Sequence, residues 1–219
     1  MIGIYGGTFN PVHYGHLRTA LEVRQLFQLQ ALHLVPCREP PHRQQPDVTA
    51  AERLQMLQLA IADTAGFVAD DRELQRPGPS YMVDTLKSFR QQMPEQALLL
   101  FIGADAFLGL ERWYHWQQLF DYAHVVVMMR PGFSVEVKSA FLQQRVLNHA
   151  DGLASQLAGS LFFQVVTQLE ISATQIRHMI TVGENPQFLL PDSVINFIQQ
   201  HKLYQAAPKL QDNECKVMS

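Results

Sequence analysis

The chain has 219 residues, 47% of them hydrophobic and 17% charged, and a formal net charge of −3 at pH 7. This length predicts one globular domain with a sizeable core, with two small domains as the alternative, and the composition excludes a disordered chain. The net charge offers no basic surface for bulk nucleic-acid binding, so a phosphate site must be local. Cys37 and Cys215 are too few for a disulfide scaffold or a cysteine-rich metal site, and they fit a reducing compartment.

The apolar runs of the chain are short. The longest, residues 97–102 and 125–129, fall far below the length of a bilayer-spanning helix. The sequence opens with a strand pattern and not with a basic region followed by an apolar leader. We therefore expect a cytoplasmic, soluble protein without a membrane partner.

The first twenty residues predict a site for an anion. Residues 2–5 form an apolar strand pattern, Gly6-Gly7-Thr8 allows a tight turn, and a helical pattern begins near Gly15-His16. Backbone N–H groups and the positive end of a helix dipole then face one small volume, which suits a phosphate. His13 and His16 add imidazoles on one side of this turn. The simpler interpretation is an ordinary βα turn, since the spacing matches neither the Walker A nor the dinucleotide fingerprint.

Strand and helix patterns alternate along the rest of the chain. Strand patterns cover residues 31–36, 67–69, 97–102, 124–129 and 161–165. Helical patterns cover residues 17–28, 49–63, 80–93, 135–149, 172–180 and 192–201. Thr49 and Glu52 form a capping box, and Ser80 is the expected cap of the following helix. This order predicts an open, mostly parallel α/β sheet with helices on both faces. We expect one domain over residues 1–204 and a disordered tail over residues 205–219.

Ligands of open α/β sheets bind beyond the carboxyl ends of the strands. Four stretches follow predicted strands directly, and we expect them to converge there: residues 6–16, 36–43, 103–114 and 130–132. Asp105 fits either a ribose hydroxyl or a helix start. His42 and Arg43 are either solvated or paired with an anion. The carboxylates at positions 70, 71 and 73 read as loop or helix-face charges.

Residues 171–177, with the sequence Ile-Ser-Ala-Thr-Gln-Ile-Arg, form a second candidate for phosphate binding. Ser172 or Thr174 would cap a helix, which explains such hydroxyls in most proteins. Alternatively, the hydroxyls, the free N–H groups and Arg177 would together cradle a phosphate.

The adjacent aromatics Trp113 and Tyr114 cannot both face a core from one helix. One interpretation is packing at a surface or interface. The other is stacking on a planar heterocycle.

The run from Gly6 to His16 resembles the G-x-F-x-P-x-H-x-G-H signature of the nucleotidyltransferases related to class I aminoacyl-tRNA synthetases. Residues 171–177 resemble the I-S-x-T-x-I-R motif of the same superfamily, in the expected order. The loop Pro40-Pro41-His42-Arg43, the turn Pro79-Ser80-Tyr81 and the pair Trp113-Tyr114 are similar to the bacterial nicotinate-nucleotide adenylyltransferase family. The resemblance runs from residue 1 to about Tyr204.

The resemblance implies a Rossmann-like nucleotidyltransferase fold and an enzyme that joins ATP and nicotinate mononucleotide into deamido-NAD and pyrophosphate with Mg2+. It implies catalytic roles for His13, His16 and Arg177. It implies that ATP is bound by Gly6, Gly7, Thr8, Phe9, Gly103, Asp105, Ser172 and Thr174. The acceptor would be bound by His42, Arg43, Ser80, Tyr81, Met82, Trp113, Tyr114 and Arg130. No residue is assigned to Mg2+, since phosphates and water hold it in such sites.

Several alternatives remain open from the sequence. One alternative is an adenylyltransferase that acts on nicotinamide mononucleotide or phosphopantetheine. Another is a catalytically silent nucleotide-binding regulator of the same fold. A nucleic-acid-binding module is disfavoured by the net charge of −3. The oligomeric state, including a homodimer, is not determined by the sequence.

Overall fold

A computed structural model describes residues 1–39 and 48–205 of the chain. Within them six strands form one sheet: β1 (Ile2–Gly7), β2 (Ala31–Pro36), β3 (Phe67–Ala69), β4 (Leu98–Gly103), β5 (His124–Met129) and β6 (Leu161–Val165). The α-helices are α1 (Tyr14–Leu26), α2 (Ala50–Ile61), α3 (Arg72–Gln75), α4 (Met82–Gln92), α5 (Ala104–Phe107), α6 (Leu119–Tyr122), α7 (Ala140–Gln143), α8 (Ala173–Thr181) and α9 (Asp192–Gln200). Short 3-10 turns cover Leu110–Arg112, Trp116–Gln118 and Ala150–Leu153.

The sheet has the strand order β3-β2-β1-β4-β5-β6, and every pair of neighbours is parallel. The predicted α/β sheet is therefore confirmed, and it is entirely parallel. The chain builds outward from β1 through β2 and β3, then returns to add β4 on the other side of β1. This reversal opens a crevice beyond the carboxyl ends of β1 and β4, where open α/β sheets bind ligands.

The core lies in two layers, one on each face of the sheet. Along β4, Leu99 and Phe101 belong to one layer, whereas Leu98, Leu100 and Ile102 belong to the other. Successive side chains of a strand point to opposite faces, so a strand covered on both faces must be apolar at every position. All five residues are at most 5% exposed. This burial explains the unbroken apolar run of the sequence.

Two predicted helical features are wrong. The helix predicted over 135–149 is reduced to α7, because the segment after it pairs with β6. Leu147 N–H donates to the Leu161 carbonyl at 2.8 Å, and Leu161 N–H donates to the Arg145 carbonyl at 2.7 Å. Tertiary pairing thus overrides helix propensity. Ser80 does not cap α4, which begins two residues later and has Tyr81 at its N-cap without a side-chain hydrogen bond.

The capping box at the start of α2 is confirmed, since Thr49 and Glu52 exchange side-chain to backbone hydrogen bonds. None of the helices in the described ranges is both long enough and apolar enough to cross a membrane. The tail expected to be disordered lies almost wholly beyond residue 205, outside the described residues.

Candidate active site

Two adjoining cavities occupy the crevice beyond β1 and β4. The larger cavity has a volume of about 760 Å³ and the smaller about 290 Å³. They share one wall, formed by Gly6, Gly7, Thr8, Asp105 and Ala106. A ligand in one cavity is thus separated from a ligand in the other only by the ends of β1 and β4.

The loop after β1 presents free amides to the larger cavity. Phe9 adopts the left-handed backbone region with φ at +47°. The N–H groups of Thr8, Phe9 and Asn10 donate to no group within residues 1–39 and 48–205. Successive free amides around a left-handed residue form a concave nest for an anion. The phenyl ring of Phe9 is buried and fixes the loop by packing edge-on against Tyr5.

His13 and His16 lie side by side in the larger cavity, with ring centroids 3.8 Å apart and an interplanar angle of 30°. Burial lowers the pKa of His13 to about 4 and, together with the nearby His13, that of His16 to about 3. Both rings are therefore neutral at pH 7. A Cβ at Gly15 would lie 2.9 Å from Nδ1 of His13, so only glycine allows this ring position.

Neither histidine finds a hydrogen-bond partner for its Nδ1 atom among the described groups, although both atoms are buried. Buried polar atoms in proteins are normally paired. A cavity ligand therefore meets the other ring nitrogen, Nε2, which in a neutral imidazole protonated there donates a hydrogen bond.

The start of α8 brings the second predicted motif to the first loop. Ser172 occupies the N-cap position, but its side chain makes no capping hydrogen bond, so the hydroxyl is free. Arg177 donates to the Asn10 carbonyl at 2.7 Å and to the Thr174 hydroxyl at 3.3 Å. The two motifs, far apart in sequence, thus face each other across the larger cavity.

Tyr204 is a residue of this cavity that the sequence motifs do not include. Its hydroxyl donates to Asn10 Oδ1 at 2.6 Å, and burial raises the pKa of the phenol. Arg130 lies at the edge of the same cavity, where its Nε donates to Gln168 at 2.7 Å. Arg130, assigned from the resemblance to the acceptor, is therefore placed among the residues assigned to ATP.

The smaller cavity is bordered by aromatic rings and by the start of α4. Trp113 lines it, and Tyr114 packs against Tyr81 with ring centroids 4.4 Å apart. The N–H groups of Tyr81, Met82 and Tyr114 donate to no other described residue, whereas that of Trp113 donates to Leu110. A flat ring beside free amides at a helix start suits a planar ligand that carries an anionic group.

A buried carboxyl group beneath this cavity was not predicted. Glu73 is 3% exposed and lines the smaller cavity, contrary to its interpretation as a loop charge. It accepts a hydrogen bond from the Thr85 hydroxyl at 2.5 Å, and burial raises its pKa. Nearby, Ser80 accepts from the Arg38 N–H at 2.9 Å. The hydroxyl expected to cap α4 therefore fastens the turn before α4 to the loop after β2.

The structure brings together every predicted site residue that it describes. The larger cavity is lined by Gly6, Gly7, Thr8, Phe9, His13, His16, Gly103, Asp105, Arg130, Ser172, Thr174 and Arg177. The smaller cavity adds Ser80, Tyr81, Met82, Trp113 and Tyr114. His42 and Arg43 lie outside the described residues. Within the described ranges, no group of three or more His, Cys, Asp or Glu residues is placed to hold a metal ion.

Sequence comparisons place the chain among known proteins. The model of the cytidylyltransferase-like family matches residues 4–179. A probable nicotinate-nucleotide adenylyltransferase of Methylococcus capsulatus is 48% identical over 208 residues, which cover 93% of this chain and 99% of that protein. A protein of the same description from Acidithiobacillus ferrooxidans is 44% identical over 207 residues, covering 93% and 95%.

Solved structures share the fold. A nicotinic acid mononucleotide adenylyltransferase of Plasmodium falciparum, complexed with NaAD, has a TM-score of 0.70 at 17% identity and covers 93% of this chain and 96% of its own. A putative nicotinate-nucleotide adenylyltransferase from Vibrio parahaemolyticus has a TM-score of 0.64 at 14% identity, covering 94% and 96%. The chain therefore belongs to the cytidylyltransferase-like family and, within it, to the nicotinate-nucleotide adenylyltransferases.

Proposed function

We propose that this enzyme transfers the adenylyl group of ATP to nicotinate mononucleotide, releasing deamido-NAD and pyrophosphate in NAD biosynthesis. The observation that carries the proposal is the shared wall of the two cavities. It puts a polar cavity with free amides and imidazoles directly beside an aromatic cavity with a helix start. Two substrates bound in this way meet at Gly6, Gly7 and Thr8.

ATP occupies the larger cavity in this proposal. The free amides of the loop after β1, the Ser172 and Thr174 hydroxyls and Arg177 bind the phosphates. Gly103 and Asp105, at the carboxyl end of β4, hold the adenosine. Arg130 binds phosphate oxygens at the cavity edge.

Nicotinate mononucleotide occupies the smaller cavity. Its pyridine ring stacks on Trp113, and its ring carboxylate accepts hydrogen bonds from the free amides of Tyr81, Met82 and Tyr114. Ser80 shapes this turn through its bond to the loop after β2. His42 and Arg43 are proposed to approach the mononucleotide phosphate from that loop.

The reaction needs charge stabilisation and not proton abstraction. A phosphate oxygen of the mononucleotide, already ionised at neutral pH, forms a bond to the α-phosphorus of ATP. The bond from that phosphorus to the oxygen bridging to the β-phosphate breaks, and pyrophosphate leaves with the electron pair. His13 and His16 donate hydrogen bonds to the α-phosphate as charge redistributes, and Arg177 stabilises the leaving side.

Mg2+ is proposed to enter with ATP. Asp105 is exposed and borders both cavities, and the described part of the chain has no preformed cluster of metal ligands. These residues fit an ion held mainly by phosphate oxygens and water, with Asp105 as the neighbouring carboxylate. The bound ion would neutralise charge on the triphosphate and the leaving pyrophosphate.

The remaining proposals concern the setting of the enzyme. The net charge of −3 argues against a nucleic-acid partner. The low cysteine content supports a cytoplasmic enzyme.

Measuring pyrophosphate release with ATP and each of three acceptors tests the proposed function. We expect turnover with nicotinate mononucleotide to exceed that with nicotinamide mononucleotide and with phosphopantetheine. Preference for either of the other acceptors would reassign the smaller cavity. Binding of ATP without turnover on any acceptor would instead support a catalytically silent regulator.

A further inference from the structure

Arg53 is a fully buried arginine beneath the wall that the two cavities share. It extends from α2 and is only 1% exposed. Its Nη1 donates to the Thr8 carbonyl at 2.7 Å, and its Nη2 donates to the carbonyls of Cys37 at 2.7 Å and Arg38 at 3.2 Å. One guanidinium therefore joins the loop after β1 to the loop after β2.

This side chain is not explained by an ion pair. Among the described residues no carboxylate lies within 4.0 Å of its nitrogens, and its Nε is buried without a partner. A buried charge without a counter-charge lowers stability unless polar groups surround it. Here the polar groups are carbonyls of the two loops, so folding can retain the charge only while both loops keep this arrangement.

The direction of these carbonyls fixes the direction of two amides. In a trans peptide the C=O of one residue and the N–H of the next point to opposite sides, and of the peptides described only Asn10-Pro11 is cis. The Thr8 carbonyl points toward Arg53. The Phe9 N–H of the same peptide therefore points away from Arg53, toward the larger cavity, which Phe9 lines. With the Cys37 carbonyl also turned inward, the Arg38 N–H reaches the Ser80 hydroxyl.

We propose that Arg53 is a positioning residue that sets the separation and orientation of the two loops, and through them of the two substrates. The inference rests on the proposed function, because it assigns one substrate to each loop. Arg53 contacts neither substrate in this scheme. It acts through the Phe9 amide on the nucleotide side and through Arg38 and Ser80 on the acceptor side.

Arg90 provides a matched control within the same chain. It also binds several backbone carbonyls, those of Met93, Pro94, Gln96, Tyr122 and Leu157. These groups precede β4 and β5 or lie beside their amino ends. The cavities lie at the opposite, carboxyl ends of the strands. Arg90, which is only partly buried, thus also joins separate backbone segments, but it lines neither cavity and contacts neither of the two loops.

The experiment compares Arg53→Met, Arg53→Lys and Arg90→Met in the full chain. For Arg53→Met we expect kcat to fall about 100-fold, the scale of a misplacement of about 1 Å between reacting groups. The dissociation constant of each substrate measured alone should change by less than about tenfold, because each loop still binds its own ligand. Arg53→Lys keeps the charge but cannot span both loops, so it should lie between wild type and Arg53→Met.

Arg90→Met should lower the melting temperature while leaving kcat within about threefold of wild type, since distant residues that share no partners act nearly independently. A folded Arg53→Met enzyme with nearly full kcat would overturn the inference, as would an equal loss of kcat in Arg90→Met. If Arg53→Met does not fold, the same kinetic comparison is made with Arg53→Lys.

Amide hydrogen exchange separates this inference from the proposed function. Replacing Arg53 should accelerate exchange of the hydrogen-bonded Cys37 and Arg38 amides, which donate to the Gly7 carbonyl and the Ser80 hydroxyl, whereas replacing Arg90 should accelerate exchange at Gln96. If wild type turned over no acceptor, the proposed function would fail. Unchanged exchange of the Cys37 and Arg38 amides in the Arg53 variants would separately overturn the positioning role of Arg53.

Discussion

The two cavities differ in how the chain builds them. The larger one collects polar groups from the start, middle and end of the chain, and Asn10 alone contacts both Arg177 and Tyr204. The smaller one is built mainly from rings and amides between residues 73 and 114. The first arrangement suits a phosphate chain, which any nucleotidyltransferase must bind. The second suits one flat acceptor with an anionic group, so changes on the two sides should separate catalytic rate from acceptor affinity.

The starts of α2 and α8 differ in how their N-cap residues are used. Among the described α-helices only α2 has a side-chain cap, a complete capping box, whereas α8, which begins at the larger cavity, has an uncapped Ser172 at its N-cap position. Four N–H groups at every helix start need partners. In α2 the Glu52 N–H donates to the Thr49 hydroxyl oxygen, whereas in α8 no side chain of the N-cap residue accepts from the first turn.

Replacing His16 by alanine should have the largest effect and should fall on the rate. We expect kcat to drop by roughly two to three orders of magnitude, the scale of losing one donor to a developing charge. The KM for nicotinate mononucleotide should change little, since His16 lines only the larger cavity. Steady-state pyrophosphate release measures both constants.

The control for this prediction is His201→Ala, because His201 is exposed, follows α9 and packs against Phe197 away from both cavities. It should keep wild-type kinetics. A His16→Ala enzyme that folds normally and retains nearly full turnover would show that the imidazole pair does not act on the reacting phosphate.

Replacing Trp113 by alanine should affect the smaller cavity and therefore the affinity for the acceptor. Stacking of a base on an aromatic ring contributes about 1–3 kcal/mol, so the KM for nicotinate mononucleotide should rise by roughly 5- to 150-fold. The KM for ATP should stay within about twofold, because Trp113 borders only the smaller cavity.

Trp116 offers a matched comparison, since its indole packs on Phe141 with ring centroids 5.1 Å apart and does not line either cavity. Trp116→Ala should lower thermal stability and leave the KM of the acceptor unchanged. Equal effects of the two substitutions on that KM would mean that Trp113 supports packing and does not stack on the substrate.

The fold could be predicted because its signals are local. An unbroken apolar run such as residues 98–102 indicates a strand covered on both faces, and the alternation with helices indicates a parallel sheet. The helix predicted over 135–149 failed for the opposite reason. Its residues pair with the start of β6, and nothing within the segment signals that contact.

The candidate site also combines features that could be predicted from the sequence with features that could not. Its motifs are contiguous, so the loop after β1 and the start of α8 could be identified from sequence. Tyr204 reaches Asn10 across 194 positions, and Arg53 reaches Thr8 across 45, so no local pattern connects them. Glu73 stands among other acidic residues, and only burial distinguishes it from them. These three residues contact or lie beside the motif residues in space, but they form no sequence motif by which they could be recognised.

The smallest effect, and the sharpest test of the contrast between helix starts, comes from two hydroxyl removals. Thr49→Ala removes a working cap and should cost about 1 kcal/mol of unfolding free energy while kinetics stay unchanged. Ser172→Ala removes a hydroxyl that caps nothing, so its loss of stability should be well below that of Thr49→Ala. It should instead reduce kcat/KM for ATP about tenfold, the effect of losing one hydrogen bond to a charged group.

Urea unfolding and steady-state kinetics on both variants give the two quantities that must be compared. Both hydroxyls sit at N-cap positions, and the methyl group that Thr49→Ala also removes is on an exposed side chain, so its loss contributes little. If Ser172→Ala lost as much stability as Thr49→Ala and kept its kinetics, the hydroxyl would be a structural cap. If Ser172→Ala instead lost little stability and had a lower kcat/KM for ATP, the Ser172 hydroxyl would be a ligand of the ATP phosphates. Urea unfolding is measured without ATP, so the loss of that contact would appear only in the kinetics.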